Sequence, residues 1–246
     1  MVCGAANAIA VTRQLAAAGT IGIVHSQRHD EAKYVKAREL IQKGAIGEVK
    51  SFYVYMAQDW GGREWRGEPE LSGGGQINDS GSHYQDILLW MTDLLPRSAE
   101  GFVDNWQWGT HRKVEIDGMF NVELSNGAMG RVIIVGDILG GFQDDVRIRG
   151  TKADLMFFGA KLLLRPHGKD IEEVPCPLPK GYPISPCDNF VKLIRGRCRQ
   201  NRVPFTFGVR VALLTEAMLR SGHRRGEKVS CETILQESGH RLEDLV

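Results

Sequence analysis

Between residues 99 and 165 apolar side chains recur at every second position, a spacing that suits a strand with one buried face and that a helix does not support. Phe120, Val122 and Leu124 alternate with Asn121 and Glu123, Asn126-Gly127 supplies a turn, and Val132 and Ile134 alternate with Arg131 on the way back. The segment "DDVRIRGTKADLMFFGAKLLLRP" (144–166) repeats the pattern, turning near Gly150 and again near Gly159-Ala160. Successive hairpins predict an antiparallel meander. "GEVKSFYVYMAQDW" (47–60) adds one more strand, rich in β-branched and aromatic residues.

Such a sheet needs helices on one side, and the remaining sequence provides them. "AANAIAVTRQLAAA" (5–18) favours helix up to Gly19, and "TIGIV" (20–24) then reads as a short buried strand. Asp30 is a candidate cap for a helix carrying Tyr34, Ala37, Arg38 and Ile41 and ending at Gly44. A helix from about Asn78 to Thr92 carries Ile87, Leu88 and Trp90 before Pro96 blocks its continuation. Ser185-Pro186 opens another, and a long one spans about 207–221. The predicted class is α+β: an open, largely antiparallel sheet with helices on one face, preceded by an α/β piece. Exposed apolar residues among Val122, Val132 and Ile134 are expected on the open face, making it a surface for homo-oligomer formation.

The balance of 31 basic against 30 acidic residues leaves no overall field to recruit nucleic acid or an anionic membrane, so a small molecule is the expected ligand. The basic run "RSGHRRGEK" (220–228) lacks interleaved aromatics and reads as a solvated helix end. Five cysteines without a C-x-x-C pair suggest free thiols in a reducing cytoplasm. No apolar run approaches the length of a membrane span.

The chemistry concentrates in "GGGQINDSGSHYQD" (73–86). Residues four apart share a helix face, so Asp79 and His83 can point into one cleft. There an imidazole can move a proton to or from a hydroxyl while the carboxylate orients it or shares the ligand's hydrogen bonds. Gly73, Gly74 and Gly75 would let backbone approach a ligand closely. The spacing equally allows Asp79 to be a plain helix cap and His83 a packing residue. A metal set of Asp79, His83 and Asp86 has no second histidine motif behind it, and no metal is assigned. Upstream, "QDWGGREWRGE" (58–68) gathers Trp60, Arg63, Trp65 and Arg66 into a loop that can cover the Asp79-His83 cleft or pack on its own tryptophans. The chain contains no G-x-G-x-x-G dinucleotide loop and no G-x-S-x-G nucleophile elbow.

"GGGQINDSGSHYQDILLW" resembles the G-G-G-x-x-x-D-x-G-x-H-x-x-D-x-x-x-W signature of the glucose-fructose oxidoreductase, inositol dehydrogenase and MocA family. "AGTIGIVHSQRHDEAKYVKARELIQKGAIGEV", "VELSNGAMGRV" and "FVKLIRG" are similar to further segments of that family in the same order, so the likeness covers nearly all of 12–246. It implies an N-terminal nucleotide-binding (Rossmann) unit, represented by residues 1–26 only, and a C-terminal substrate and oligomerisation domain over 27–246. It implies that His83 is the acid/base on the reacting oxygen and that Asp79 assists. Arg28, Trp65 and Arg66 would line the substrate side. The substrate would be a sugar or cyclitol, oxidised or reduced with NAD or NADP. The family's Glu-Lys-Pro lysine would fall at or before Met1, so the chain is expected to be a truncated member that holds the substrate half and binds no cofactor alone. Two other readings stay open: a non-catalytic oligomerising or sugar-binding partner, and a metal-dependent or cofactor-free lyase or isomerase built on Asp79 and His83.

Overall fold

A computed structural model describes residues 4–241. Helix α1 (Ala5–Ala17) is followed by α2 (Ala32–Gln42), strand β1 (Val49–Asp59), the single turn α3 (Pro69–Ser72) and α4 (Ser80–Thr92). Then come β2 (Pro96–Asp104), a two-residue ribbon of β3 (Trp106–Gln107) and β4 (Thr110–His111), β5 (Asp117–Leu124), β6 (Met129–Val135), β7 (Asp137–Gly150), β8 (Ala153–Phe158), β9 (Lys161–Pro166) and β10 (Glu172–Val174). Helix α5 (Pro186–Ile194), helix α6 (Phe205–His223), β11 (Val229–Ser230) and α7 (Cys231–Glu237) complete the described chain.

Nine strands form one sheet in the order β10-β9-β8-β7-β1-β6-β5-β2-β11. Every pairing is antiparallel except β1 with β6, which run parallel from Ser51↔Met129 to Ala57↔Val135. The class is thus the α+β one expected. The hairpin turning at Gly127 (φ +82°) and the β7-β8-β9 meander form where the alternation places them. The sequence pattern does not foretell that β1 enters between β6 and β7 and separates two strands adjacent in the chain.

One face of the sheet carries the core. Phe52, Val54 and Met56 of β1, Phe120, Val122 and Leu124 of β5, and Val132 and Ile134 of β6 pack with α4 and α6 in a single apolar cluster. Val122, Val132 and Ile134 are therefore at most 1% exposed, and the expectation that they lie on the open face is corrected. The opposite face carries a row formed by Phe102, Met119, Ile133 and Tyr55, partners across successive strands. Phe102 and Met119 are 65% and 50% exposed, and Met129, four residues before Ile133 on β6, is exposed on the same face.

Residues 20–24 also differ from expectation. They do not form a buried strand: only one bridge occurs, Ile23 with Pro204, and the segment is half-buried to exposed. Pro204 has no N–H, so the ladder on that side cannot continue. Helix α1 packs on α6, and the Ala5 N–H donates to Glu216 Oε2 at 2.7 Å. Asp30 does not cap α2. Glu31 holds that position, and Asp30 lies 3.4 Å from Arg202 instead. Ser185 caps α5 as expected, accepting from the Asp188 N–H at 3.1 Å. In the basic run after 220, Arg220 is paired with Glu216 and Glu237. Cys176, Cys187, Cys198 and Cys231 are unpaired, and Cys3 lies outside the described residues. No helix among the described residues is long and apolar enough to cross a membrane.

Candidate active site

The three glycines that precede α4 serve three separate geometric needs. Gly73 adopts φ +73° to end α3, and Gly74 adopts φ +150°, a region closed to most side chains. A Cβ on Gly75 would lie 2.0 Å from the Glu115 carbonyl oxygen, so backbone must meet backbone there. That contact is bonded. The Gln76 N–H donates to the Glu115 carbonyl at 3.0 Å, and the Gly75 N–H donates to the Glu115 carboxylate at 2.5 Å. Gln85, fully buried on α4, donates to the Ile77 carbonyl at 3.0 Å and accepts from Thr215 of α6 at 2.8 Å. The start of α4 is thus fixed to the sheet and to α6 before any ligand arrives.

Asp79 occupies the N-cap position of α4, yet its side chain makes no capping hydrogen bond. The carboxylate turns to the preceding loop, where Oδ2 accepts from Trp60 Nε1 at 2.9 Å and from Arg66 Nε at 3.1 Å. Trp60 is itself held in place. It is 4% exposed, its N–H donates to the Gly136 carbonyl at 2.8 Å, and its carbonyl accepts from Gln107 at 2.7 Å. Of the two tryptophans in the loop, then, Trp60 is a fixed part of the wall and not a cover.

His83 lies one turn along. It lines, with Asp79, Ser82 and Asp86, a hollow of about 270 Å³ between α4, the segment 24–26 and α6. A second hollow of about 480 Å³ opens on the other side of Asp79, lined by Trp60, Gly61, Gly62, Arg63 and Arg66. Asp79 belongs to both. Burial, reinforced by the Arg28 charge, holds His83 below the usual imidazole range, although Asp86 and Asp79 pull the other way. At neutral pH the ring is therefore a neutral base that can take a proton.

The structure thus brings together Asp79, His83 and Arg66. Arg28 stays outside the lining of both hollows, its guanidinium 4.4 Å from the Tyr84 ring centroid and 3.3 Å from Glu31, and reaches His83 only by its field. Trp65 is 36% exposed, stacks against Arg66 at 4.5 Å, and lines neither hollow. Four contributors escape the sequence reading: His25 and Ser26, Ser82 and Thr215. A signal for the first two exists, since they follow an extended apolar segment, where α/β units place ligand-handling residues.

Behind the hollow, Asp86 Oδ2 lies 2.7 Å from His29 Nε2, bent away from hydrogen-bond geometry, and both side chains are buried. His29 is stacked on Trp90 at 4.2 Å. This pair forms the floor between the hollow and the far end of α4. Among the described residues no three His, Cys, Asp or Glu side chains gather as a metal site would need.

Residues 34–156, half of the chain, match the family described as the GFO/IDH/MocA C-terminal domain. This chain is a member of the GFO/IDH/MocA family. A sequence comparison with curated proteins finds no match. Solved structures of similar fold include a putative oxidoreductase from Thermotoga maritima, 22% identical with a TM-score of 0.72 over 86% of this chain. An inositol dehydrogenase homolog complexed with NAD+ from Azotobacter vinelandii is 18% identical, TM-score 0.77, over 92% of this chain. A levoglucosan dehydrogenase, in complex with NADH and levoglucosan, is 20% identical, TM-score 0.78, also over 92%. At these identities the likeness establishes the shared fold. The family member described here spans 64%, 69% and 71% of the lengths of those three chains, respectively.

Proposed function

We propose that this chain supplies the substrate side of an oxidoreductase acting on a sugar or cyclitol hydroxyl, with His83 as the acid/base and Asp79 and Arg66 holding the substrate. The observation that carries the reading is the joint placement of a neutral-leaning imidazole and a fixed carboxylate on one hollow. When a carbinol is oxidised, its hydroxyl proton must leave, and His83 takes it; in the reverse direction the same ring returns it. Asp79, held by Trp60 and Arg66, accepts a neighbouring hydroxyl's hydrogen bond and keeps the imidazolium that forms from being an isolated charge.

A dinucleotide does not fit the residues present. The sequence has no glycine-rich phosphate loop, and the start of α1 already gives an N–H to the Glu216 carboxylate, which would repel a pyrophosphate. The solved relatives whose structures hold NAD+ or NADH motivate NAD or NADP as the hydride partner, bound by residues other than these. In this reading residues 27–246 form the substrate unit and 1–26 a piece of a nucleotide-binding unit. Phe102, Met119 and Met129 on the open sheet face support a homo-oligomer formed through that face. The four unpaired thiols support a reducing, cytoplasmic setting.

The test is ligand binding by the whole chain. Calorimetric titration with cyclitols and aldoses should give saturable binding of one of them, reduced at least about tenfold in Asp79→Asn, while NADH fluorescence stays unchanged. Binding that survives both Asp79→Asn and His83→Ala would remove the site.

A further inference from the structure

A hollow of about 760 Å³, larger than the one that holds Asp79 and His83, lies elsewhere in the molecule. It lies at the opposite end of α4, between α2, the end of α5 and the first turn of α6. Five cations line it (Arg38, Lys192, Arg197, Arg202 and Arg210) against two carboxylates, Glu39 and Asp93. Glu39 is already engaged by Lys36 and Lys43. Asp93 faces Arg210 at 3.1 Å, leaving Arg38 with no bonded carboxylate. Arg38 contacts the Gln42 amide and lies 5.0 Å from the Trp90 ring centroid, both neutral partners. Burial holds the Arg38 guanidinium below its ordinary range, with the charge of Asp93 only partly opposing it and the nearby Arg210 adding to it.

Two further observations point to an anion. Arg202 is nine-tenths buried and stacks 3.5 Å from the Tyr182 ring centroid; its Nη1 has no hydrogen-bond partner, although Asp30 lies 3.4 Å away. Helix α6, 19 residues long, starts at this hollow through Pro204, Thr206 and Phe207, without a side-chain cap and with no acidic residue in its first turn. Its open N–H groups and dipole add positive potential at the same place. A bland reading, in which each arginine is merely stacked on an aromatic ring, accounts for the rings but not for the surplus of positive charge.

We propose that this larger hollow at the far end of α4 is a binding site for a small phosphorylated molecule, with Arg38, Arg197 and Arg210 around its phosphate and Tyr182, Trp90 and Phe207 as walls. The charge decides the class: Lys192 is paired with Asp188, Arg202 lies beside Asp30 and Arg210 beside Asp93, so two cations, Arg38 and Arg197, remain in excess, and with a helix N-terminus they match a multiply charged phosphate better than a single carboxylate. The volume accommodates an entire sugar phosphate or mononucleotide. This inference is independent of the acid/base reading, since no residue lining the hollow lines the other.

The test uses the whole chain and pyrophosphate as the probe, with inorganic phosphate and citrate in parallel at constant ionic strength. Calorimetry should show saturable pyrophosphate binding, with phosphate and citrate each weaker. Arg38→Gln should weaken pyrophosphate about tenfold. Arg197→Gln, a change at an exposed side chain that leaves the fold intact, should weaken it in the same direction, and Arg147→Gln on the open sheet face should leave it unchanged. Absence of saturation at roughly 10 mM pyrophosphate overturns the proposal. So does equal loss in Arg147→Gln, which would mean general charge screening. Citrate binding as tightly as pyrophosphate overturns the phosphate assignment.

Discussion

At its N-terminal end α4 is tied by hydrogen bonds to the segment before β5, to α6 and to the loop after β1, through Glu115, Gln85 and Asp79. At its C-terminal end the same helix stops on Asp93, a non-glycine residue at φ +55°, and faces guanidiniums that outnumber the available carboxylates. An acid at the C-terminal end of a helix is disfavoured by the dipole, so Asp93 makes sense only beside Arg210. The contrast separates two kinds of site. One is preorganised by the fold and nearly balanced in charge, while the other holds a standing electrostatic deficit that a ligand can fill.

The strongest way to break that contrast is to release the N-terminal end. Glu115→Ala removes the acceptor for the buried Gly75 N–H and should cost about 3 kcal/mol in urea unfolding, with the Asp79-His83 hollow losing definition in the same variant. A pH series sharpens it. Burial raises Glu115 to about 7 despite the N–H groups it accepts from, and Asp117 is raised to about 6 for the same first reason. Each stays protonated in the folded state after its unfolded counterpart has ionised. Their contribution is complete below the ordinary carboxyl values of 4.5 and 3.8 that the unfolded chain keeps and is lost as pH rises through about 7 and about 6. Glu115→Gln should flatten this decline by up to about 1.4 kcal/mol per pH unit, read from urea midpoints between pH 5 and 7.

His83 carries the opposite sign. Its lowered value means that the unfolded chain takes up the proton first, so stability is lost as pH falls below 6.5 toward the folded value. Because Asp79 raises that value, Asp79→Asn should move the His83 titration, followed by proton NMR, further down by less than about one unit. The smallest effect belongs to the other end of α4. Asp93→Asn keeps a residue that tolerates the left-handed conformation and should change stability by under about 1 kcal/mol in thermal unfolding.

Sequence legibility followed the range of the interaction. The five longer helices and the Gly127 hairpin were readable because their signals lie within a few residues, as was the Asp79-His83 spacing, whereas the short α3 and α7 were not. Alternation divided Val122, Val132 and Ile134 from Met119 and Arg131, but a period of two carries no sign, and only the packing of α4 and α6 decides which set is inside. Glu115 was missed because it sits between Val114 and Ile116 like any outward polar residue, whereas the glycine loop closes over it. The phosphate-type hollow left no local trace, since its cations come from α2, α5, the 197–202 segment and α6.

Strand β1 is the earliest-made member of the sheet and its centre, flanked by β7 and β6. A ribosome must therefore deliver chain as far as Gly150 before Val49–Asp59 has a neighbour along each side. During that interval a β-branched, aromatic segment presents two bare edges, and only non-local pairing can quench them. Closure of the sheet around β1 consequently waits for β6 and β7, and the unpaired segment is where misassociation is expected to concentrate.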